Sequence, residues 1–172
     1  MAKRVLIVYA TKHGATEEIA ERIAGVLREA GLPVDLFSAV RAADPAGYDA
    51  VVLGASVYMG RWRKEGAAFL KENAAALAGR PVWVFSSGPT GEGDPKELVK
   101  GRLFPEKLRP LLDGIGPREI TVFLGAIDVK KLGRFERWIV RNVKAPVGDF
   151  RDWAAVDRWA GRIAEALLRN RS

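Results

Sequence analysis

The segment that decides the fold is Tyr9-Ala10-Thr11-Lys12-His13-Gly14-Ala15-Thr16. It follows the apolar run Val5-Leu6-Ile7-Val8, which has the composition of a buried strand, and it leads into a stretch with helical periodicity. The apolar residues of that stretch share one helical face: Ile19, Ile23, Val26 and Leu27. We therefore predict that residues 9–16 form the turn between a first strand and a first helix.

A turn of this kind is suited to binding a phosphate group. The first N–H groups of a helix have no partner within it, and they point outward at the positive end of the helix dipole. Thr11 and Thr16 add hydroxyl donors, and Gly14 lets the backbone close around an anion. The segment matches neither the Walker A pattern nor the dinucleotide fingerprint GxGxxG, so an ordinary strand-to-helix turn is the alternative.

Composition limits the class of protein. The 172 residues predict a single domain, residues 1–172, with one well-packed core. No apolar run reaches membrane-spanning length and no long apolar signal segment is seen, so we expect a cytoplasmic protein. Cysteine is absent and His13 is the only histidine, which argues against disulfides, thiolate or multi-histidine metal sites, and a conventional Ser-His-Asp relay elsewhere.

The charge is the unusual property. A formal charge of +7 and a pI near 9.9 favour an anionic partner, which is a nucleic acid, an acidic membrane surface or a negatively charged small molecule. The alternative is an arginine-rich surface that serves solubility.

Strand-like runs alternate with helical patterns along the whole chain, which predicts a parallel α/β sheet. The predicted strands cover residues 3–9, 34–37, 50–53, 82–85 and 120–124. Helices are predicted over 15–30, around 67–77, in two pieces between 95 and 112, within 130–144, and from about 152 onward. In the last of these, one stripe is apolar and is predicted to pack on the sheet: Val156, Trp159, Ala160, Ile163 and Leu167.

Two further glycine-rich loops follow predicted strands. Gly54–Gly60 comes after the third strand, and Ser86–Asp94 comes after the fourth, with Asp94 and Pro95 placed to begin a helix. Ligands of parallel sheets bind outside the carboxyl ends of the strands. Three polar loops that meet at this edge therefore predict one binding site.

With these features the chain resembles the flavodoxin family over essentially its whole length. The resemblance implies a three-layer α/β sandwich with a five-stranded parallel sheet in the order 2-1-3-4-5, helices on both faces, and FMN as the cofactor. Residues 11–16 are similar to the loop that binds the FMN phosphate, although His13 stands where the family usually has a hydroxyl residue. Residues 54–60 and 86–94 correspond to the loops on either side of the flavin ring.

The resemblance assigns the following roles. His13 is expected to contact the phosphate, Lys12 to add a charge-assisted contact or to remain solvated, and Tyr58 to stack on the flavin, with Trp62 as the second candidate. The expected cofactor-binding residues are Thr11, Lys12, His13, Gly14, Ala15, Thr16, Ser56, Val57, Tyr58, Met59, Gly60, Ser87, Gly88, Pro89, Thr90, Gly91 and Gly93. No side chain stands out as a catalytic acid or base.

Within that family the chain is most similar to the menaquinone-dependent protoporphyrinogen dehydrogenases of bacteria. The features that carry this likeness are residues 54–60, Gly125-Ala126, the basic and aromatic segment that follows, and Asp152-Trp153. The likeness implies an FMN oxidoreductase of haem biosynthesis that passes reducing equivalents from protoporphyrinogen to a quinone. It also implies that substrate propionates meet nearby cations: Arg61, Arg63 and Lys64.

Two other functions remain open from the sequence. One is an FMN electron-transfer protein with a protein redox partner, although carriers of this family are typically acidic. The other is a basic nucleic-acid-binding module. The second lacks a recognisable reading helix or RNA motif, and it leaves the three convergent loops unexplained.

Residues 130–144 combine basic and apolar side chains. Phe135, Trp138, Ile139 and Val143 can share one helical face, with arginines and lysines over the rest. We expect that apolar face to pack on the sheet, as helices of this period usually do. The alternative is that this segment rests on the anionic inner face of the cell membrane. Peripheral contact of this kind would give the protein access to the quinone.

Overall fold

The computed structural model describes residues 2–169. Strands of the sheet are separated by helical segments along most of this range. The strands are β1 (Val5–Ala10), β2 (Val34–Ser38), β3 (Ala50–Tyr58), β4 (Arg61–Trp62), β5 (Val82–Ser87), β6 (Glu119–Phe123), β7 (Ala126–Ile127) and β8 (Gly148–Asp149). The helices are α1 (Ala15–Glu29), α2 (Lys64–Glu72), α3 (Ala74–Ala78), α4 (Pro95–Leu98), α5 (Arg109–Ile115), α6 (Arg134–Asn142) and α7 (Trp153–Arg169).

Five parallel strands form the central sheet in the order β2-β1-β3-β5-β6. Counting only these strands, the order is 2-1-3-4-5, so the predicted topology is confirmed. The register places Val5 beside both Val34 and Ala50, and Val51 beside Val82. Nearly all of β1 and all of β5 are buried, because helices cover both faces of a parallel sheet.

Each face of the sheet has its own hydrophobic core. On one face α1 and α7 pack against β1, β3 and β5, and the predicted stripe of α7 is buried throughout. Phe85, Phe123 and Trp159 meet there with ring centroids 5.5–5.9 Å apart, and each such aromatic pair adds about 0.5–1.5 kcal/mol beyond burial. On the other face, side chains from α2, α3 and α5 pack together, among them Phe69, Leu77 and Leu112.

The strands are longer than the sequence predicts. β3 continues through Tyr58, so residues 54–58 are strand rather than loop, and Ser86 and Ser87 likewise belong to β5. Gly54 suggested a loop, but a side chain there would overlap the ring of Phe85 on the neighbouring strand. The glycine therefore serves close packing inside the sheet, and the true loops begin at Met59 and Gly88.

Two helical regions also differ in detail from, or agree with, the predictions as follows. The helix expected around residues 67–77 is broken at Asn73, whose side-chain amide donates to the Phe69 carbonyl at 2.9 Å. The region from 95 to 112 is in separate pieces, as predicted, and Asp94 caps α4 by accepting from the backbone N–H of Lys96 at 2.8 Å.

A long connection between β6 and α7 carries α6 and the small antiparallel hairpin β7–β8. In α6, Ile139 is buried, whereas Phe135 and Trp138 are 71% and 60% exposed, as is Val143 just beyond at 65%. The prediction that this apolar face packs on the sheet was therefore wrong. Other helices already cover both faces of the sheet, and α6 lies over its edge instead. Between residues 2 and 169, no helix combines the length and hydropathy needed to cross a bilayer.

Candidate functional site

A cavity lies at the carboxyl edge of the sheet, where ligands of parallel α/β folds bind. Its volume is about 130 Å³, and its walls come from the ends of β1, β3 and β5, the start of α1, and the segment after β6. The lining residues are Thr11, Lys12, His13, Ala15, Thr16, Ser56, Val57, Tyr58, Ser87, Gly88, Gly125, Ala126, Ile127, Asp128, Leu132, Glu136 and Val140. The structure thus brings the three predicted loops together under α6.

The loop before α1 keeps several backbone donors free. Gly14 donates its N–H to the hydroxyl of Thr11 at 3.0 Å, and its carbonyl accepts from the N–H of Glu18 at 3.1 Å. Within residues 2–169, no acceptor pairs with the N–H groups of Lys12, His13, Ala15 or Thr16. These donors surround the start of a helix, which is the arrangement that binds phosphate.

Two buried hydroxyls connect the first loop to the third. Thr16 is fully buried, and its Oγ1 lies 2.6 Å from Oγ of Ser87, which is 2% exposed. The contact joins the first turn of α1 to the end of β5, so it fixes the distance between two walls of the cavity. Each hydroxyl retains further hydrogen-bonding capacity, because a hydroxyl both donates and accepts.

Lys12 and His13 meet a carboxylate from α6. His13 Nε2 lies 2.8 Å from Glu136 Oε2, and Lys12 Nζ lies 3.2 Å from the same oxygen. Burial of Glu136 raises its pKa, but hydrogen bonds from His13 and Lys12 outweigh this effect and hold that pKa below the usual value. The side chain of His13, predicted to contact phosphate, is thus engaged by α6 in this structure.

Tyr58 and Trp62 occupy different environments. Tyr58 lines the cavity, and its buried hydroxyl has no hydrogen-bond partner among residues 2–169. A buried, unpaired hydroxyl is energetically costly, so it indicates a ligand group nearby. Trp62 is 6% exposed and donates from Nε1 to Oγ of Ser86 at 2.9 Å. Trp62 therefore belongs to the core, and its prediction as a flavin-stacking residue was wrong.

Close backbone contacts hold the loops in place. Gly88 has a φ of +148°, and a Cβ there would lie 2.8 Å from the carbonyl oxygen of Val57. A Cβ at Gly125 would lie 2.9 Å from Cα of Gly88. The N–H of Gly125 also donates to the carbonyl of Pro89 at 2.9 Å. Three chain segments therefore meet at a spacing that only glycine permits.

Several predicted residues lie outside this cavity. Gly60 and Pro89 line a neighbouring cavity of about 530 Å³, which shares Val57 and Gly88 with the first. Met59 is 70% exposed at the tip of its turn. Gly93 borders a third cavity near α7, and neither Thr90 nor Gly91 lines the first or the neighbouring one.

Sequence reasoning missed the residues that the β6–α7 connection contributes. They are Gly125, Ala126, Ile127, Asp128, Leu132, Glu136 and Val140. None of them lies in a turn between a strand and a helix of the sheet, so the loop argument did not reach them. One signal was available, because Glu136 is the single acidic residue between Val129 and Val147 in a strongly basic segment.

Comparisons with known proteins agree with this geometry. Residues 6–153 match the family model described as Flavodoxin domain. Protoporphyrinogen IX dehydrogenase [quinone] of Escherichia coli (strain K12) is 25% identical over 172 aligned residues, covering 94% of each chain. A protein of the same name from Leishmania major is 25% identical over 178 residues, covering 96% of this chain and 76% of its own. A flavodoxin from the domain Archaea superposes with a TM-score of 0.64 at 17% identity, covering 96% of this chain and 99% of its own, which is a likeness of fold.

Proposed function

The chain belongs to the flavodoxin family, and from that premise we propose that this FMN-binding oxidoreductase is a protoporphyrinogen IX dehydrogenase that delivers reducing equivalents to a quinone. The observation that carries the finer assignment is the likeness to proteins of that name over 94% of both chains. The geometry of the cavity and of its covering helix supports it.

The residues present fit FMN. The free N–H groups of Lys12, His13, Ala15 and Thr16 suit the phosphate, and the loop also carries the Thr16 hydroxyl, which contacts that of Ser87. Tyr58 supplies an aromatic ring together with an unpaired hydroxyl. The apolar part of the lining suits a flavin ring and comes from Val57, Ile127, Leu132 and Val140.

When bound, FMN supplies the capacity to accept and release reducing equivalents. The protein holds and orients the cofactor and shields it from water. Tyr58 and Val57 at the end of β3 would hold one side of the ring, and Gly88 would approach from the other. Helix α6 lies over the same edge and excludes solvent. Asp128 also lines the cavity, but its carboxylate accepts from the backbone N–H of Lys130 at 3.0 Å, so we assign it a structural role.

Cations beside the flavin loop suit a substrate with carboxylates. Arg61 pairs with Tyr58 across the short β3–β4 hairpin and is exposed, as is Lys64. Arg63 differs, because its guanidinium lies 3.4 Å from the carboxylate of Glu65 and is less exposed. Among the three predicted cations, we therefore assign substrate propionates to Arg61 and Lys64.

The outer side of α6 suits contact with an anionic membrane. Phe135 and Trp138 stack with their ring centroids 6.1 Å apart, and both are exposed. Basic residues surround them: Lys130, Lys131, Arg134, Arg137, Arg141 and Lys144. Exposed aromatics within a basic helix are typical of helices that lie in the membrane interface. Such contact would bring the cofactor cavity close to a quinone in the bilayer.

A turnover assay tests the activity. Purified protein loaded with FMN is mixed with protoporphyrinogen and a menaquinone analogue, and porphyrin fluorescence is followed against a control without protein. We expect quinone-dependent fluorescence above the control. If the protein holds FMN but gives no such fluorescence, the dehydrogenase assignment is wrong and an electron-transfer role with a protein partner is favoured.

A further inference from the structure

Helix α6 is attached to the phosphate loop by one carboxylate. Glu136 is 14% exposed at its side chain, and one of its oxygens contacts both Lys12 and His13. Its other oxygen accepts from the N–H of Gly133 at 3.5 Å, at the start of the same helix. Glu136 therefore joins the cover of the cavity to the loop that is suited to phosphate.

The same carboxylate stands in the wall of the cavity. Glu136 lines it together with Thr11, Lys12, His13 and Thr16. A phosphate held by the backbone N–H groups of this loop would place further negative charge beside that carboxylate. Two neighbouring anions repel each other, and the repulsion is stronger in a partly buried site than in bulk water. His13 Nε2 is a single hydrogen-bonding position, so Glu136 and a phosphate cannot both occupy it.

We propose that Glu136 and the phosphate of FMN compete for the Nε2 position of His13 and repel each other, so that α6 is a lid that phosphate binding releases. This inference rests on FMN being the cofactor. Glu136 thereby sets the affinity for flavins that carry a phosphate and leaves the affinity for riboflavin unaffected. Helix α6 carries the Phe135–Trp138 stack on its outer side. When α6 moves away from the loop before α1, the position of this exposed stack on the protein surface changes as well.

The test compares FMN with riboflavin, which lacks the phosphate. Dissociation constants are measured by flavin fluorescence for the wild type, Glu136→Gln and Asp113→Asn. Asp113 is exposed on α5, and its replacement makes the same change in net charge away from the loop. We expect Glu136→Gln to bind FMN about tenfold more tightly, because removal of one repulsion of about 1.4 kcal/mol gives that factor. Riboflavin binding should be equal in all three proteins.

Hydrogen exchange of residues 134–142 gives a second readout. In the wild type, FMN should accelerate exchange in this helix and riboflavin should not, whereas Glu136→Gln should exchange rapidly without ligand. The proposal is overturned if Glu136→Gln binds FMN no better than Asp113→Asn, if it loses affinity for both flavins, or if FMN slows exchange in α6. Failure of the wild type to bind FMN would overturn the cofactor assignment as well.

Discussion

The hydroxyl of Thr16 lies 2.6 Å from the hydroxyl of Ser87, and both side chains are buried. The contact connects the first turn of α1 to the carboxyl end of β5, which are two walls of the cavity at the carboxyl edge of the sheet. The pair holds the loop before α1 against the end of β5, and each hydroxyl keeps further hydrogen-bonding capacity. We therefore expect it to serve both stability and ligand binding.

Thr16→Val should lower both stability and FMN affinity. The substitution keeps the shape of the side chain but leaves the Ser87 hydroxyl buried without its partner, which costs about 1–3 kcal/mol. Urea unfolding measures the free energy, and fluorescence titration measures the affinity. The double variant Thr16→Val/Ser87→Ala should be less destabilised than the sum of the single variants. Strict additivity would show that the two hydroxyls do not interact.

Gly88→Ala should destabilise the protein by about 1–3 kcal/mol, because the new methyl group meets the Val57 carbonyl and the backbone has a φ that L-residues rarely adopt. Gly161 is the matched control, since it lies within α7 with open space at its Cβ position. Gly161→Ala should stabilise α7 by about 0.5–1 kcal/mol. Both effects are read from thermal and urea unfolding. Equal changes in the two variants would contradict the close contact between the loops.

The exposed aromatic stack should mediate membrane contact. Replacing both Phe135 and Trp138 by Ala should weaken binding to vesicles containing phosphatidylglycerol by at least tenfold, since burial of one large apolar side chain is worth about 1.5–3 kcal/mol. Vesicle co-sedimentation measures the binding. Val40→Ala is the control, because Val40 is 73% exposed outside this surface.

Binding should also depend on lipid charge and on salt, because the basic residues around the stack act through screened electrostatic attraction. Equal binding to neutral phosphatidylcholine vesicles, or no loss in the double aromatic variant, would contradict a role for this surface.

The ion pair between Asp149 and Arg151 should make stability depend on pH. Hydrogen bonds from Arg151 lower the pKa of Asp149, and they outweigh the burial that raises it. A carboxylate with a lowered folded pKa contributes stability above its unfolded pKa of about 3.9, and this contribution is lost as the pH falls through the folded value. Asp149→Asn should therefore be less stable than the wild type at pH 6 to 7, and the difference should vanish in acid.

The pH series is measured by urea unfolding with Glu106→Gln as a control. Glu106 also pairs with an arginine, Arg109, but that pair is fully solvated, so its loss should change stability little. A difference for Asp149→Asn that stays constant down to acidic pH would show that the effect of this substitution is not electrostatic.

The parallel α/β class and the α7 packing stripe were predictable from periodicity alone, whereas the sheet order came from the resemblance to the flavodoxin family. Val156 and Trp159 follow the helical repeat, and both are buried. Strand ends were harder to predict. Gly54 and Ser86 look like loop residues in sequence, but the glycine makes room for Phe85 and the serine accepts a hydrogen bond from Trp62. Both roles depend on neighbouring segments that local sequence does not reveal.

The part of the site that covers the cavity was not predictable by the same reasoning. Phe135 and Trp138 have the spacing of a core-facing helix, yet they are exposed because other helices already cover both faces of the sheet. The contact of Glu136 with His13 joins residues 123 positions apart. It follows from where the connection after β6 folds, and the local sequence marks Glu136 only as the one acidic residue of a basic segment.

Titration of the purified wild-type protein with FMN, followed by quenching of flavin fluorescence, tests the central claim most directly. We predict saturable binding at micromolar concentrations or below, in a one-to-one ratio, and loss of affinity in Thr16→Val. A protein that is isolated colourless and leaves FMN fluorescence unchanged at these concentrations would contradict the assignment of this cavity as a flavin site.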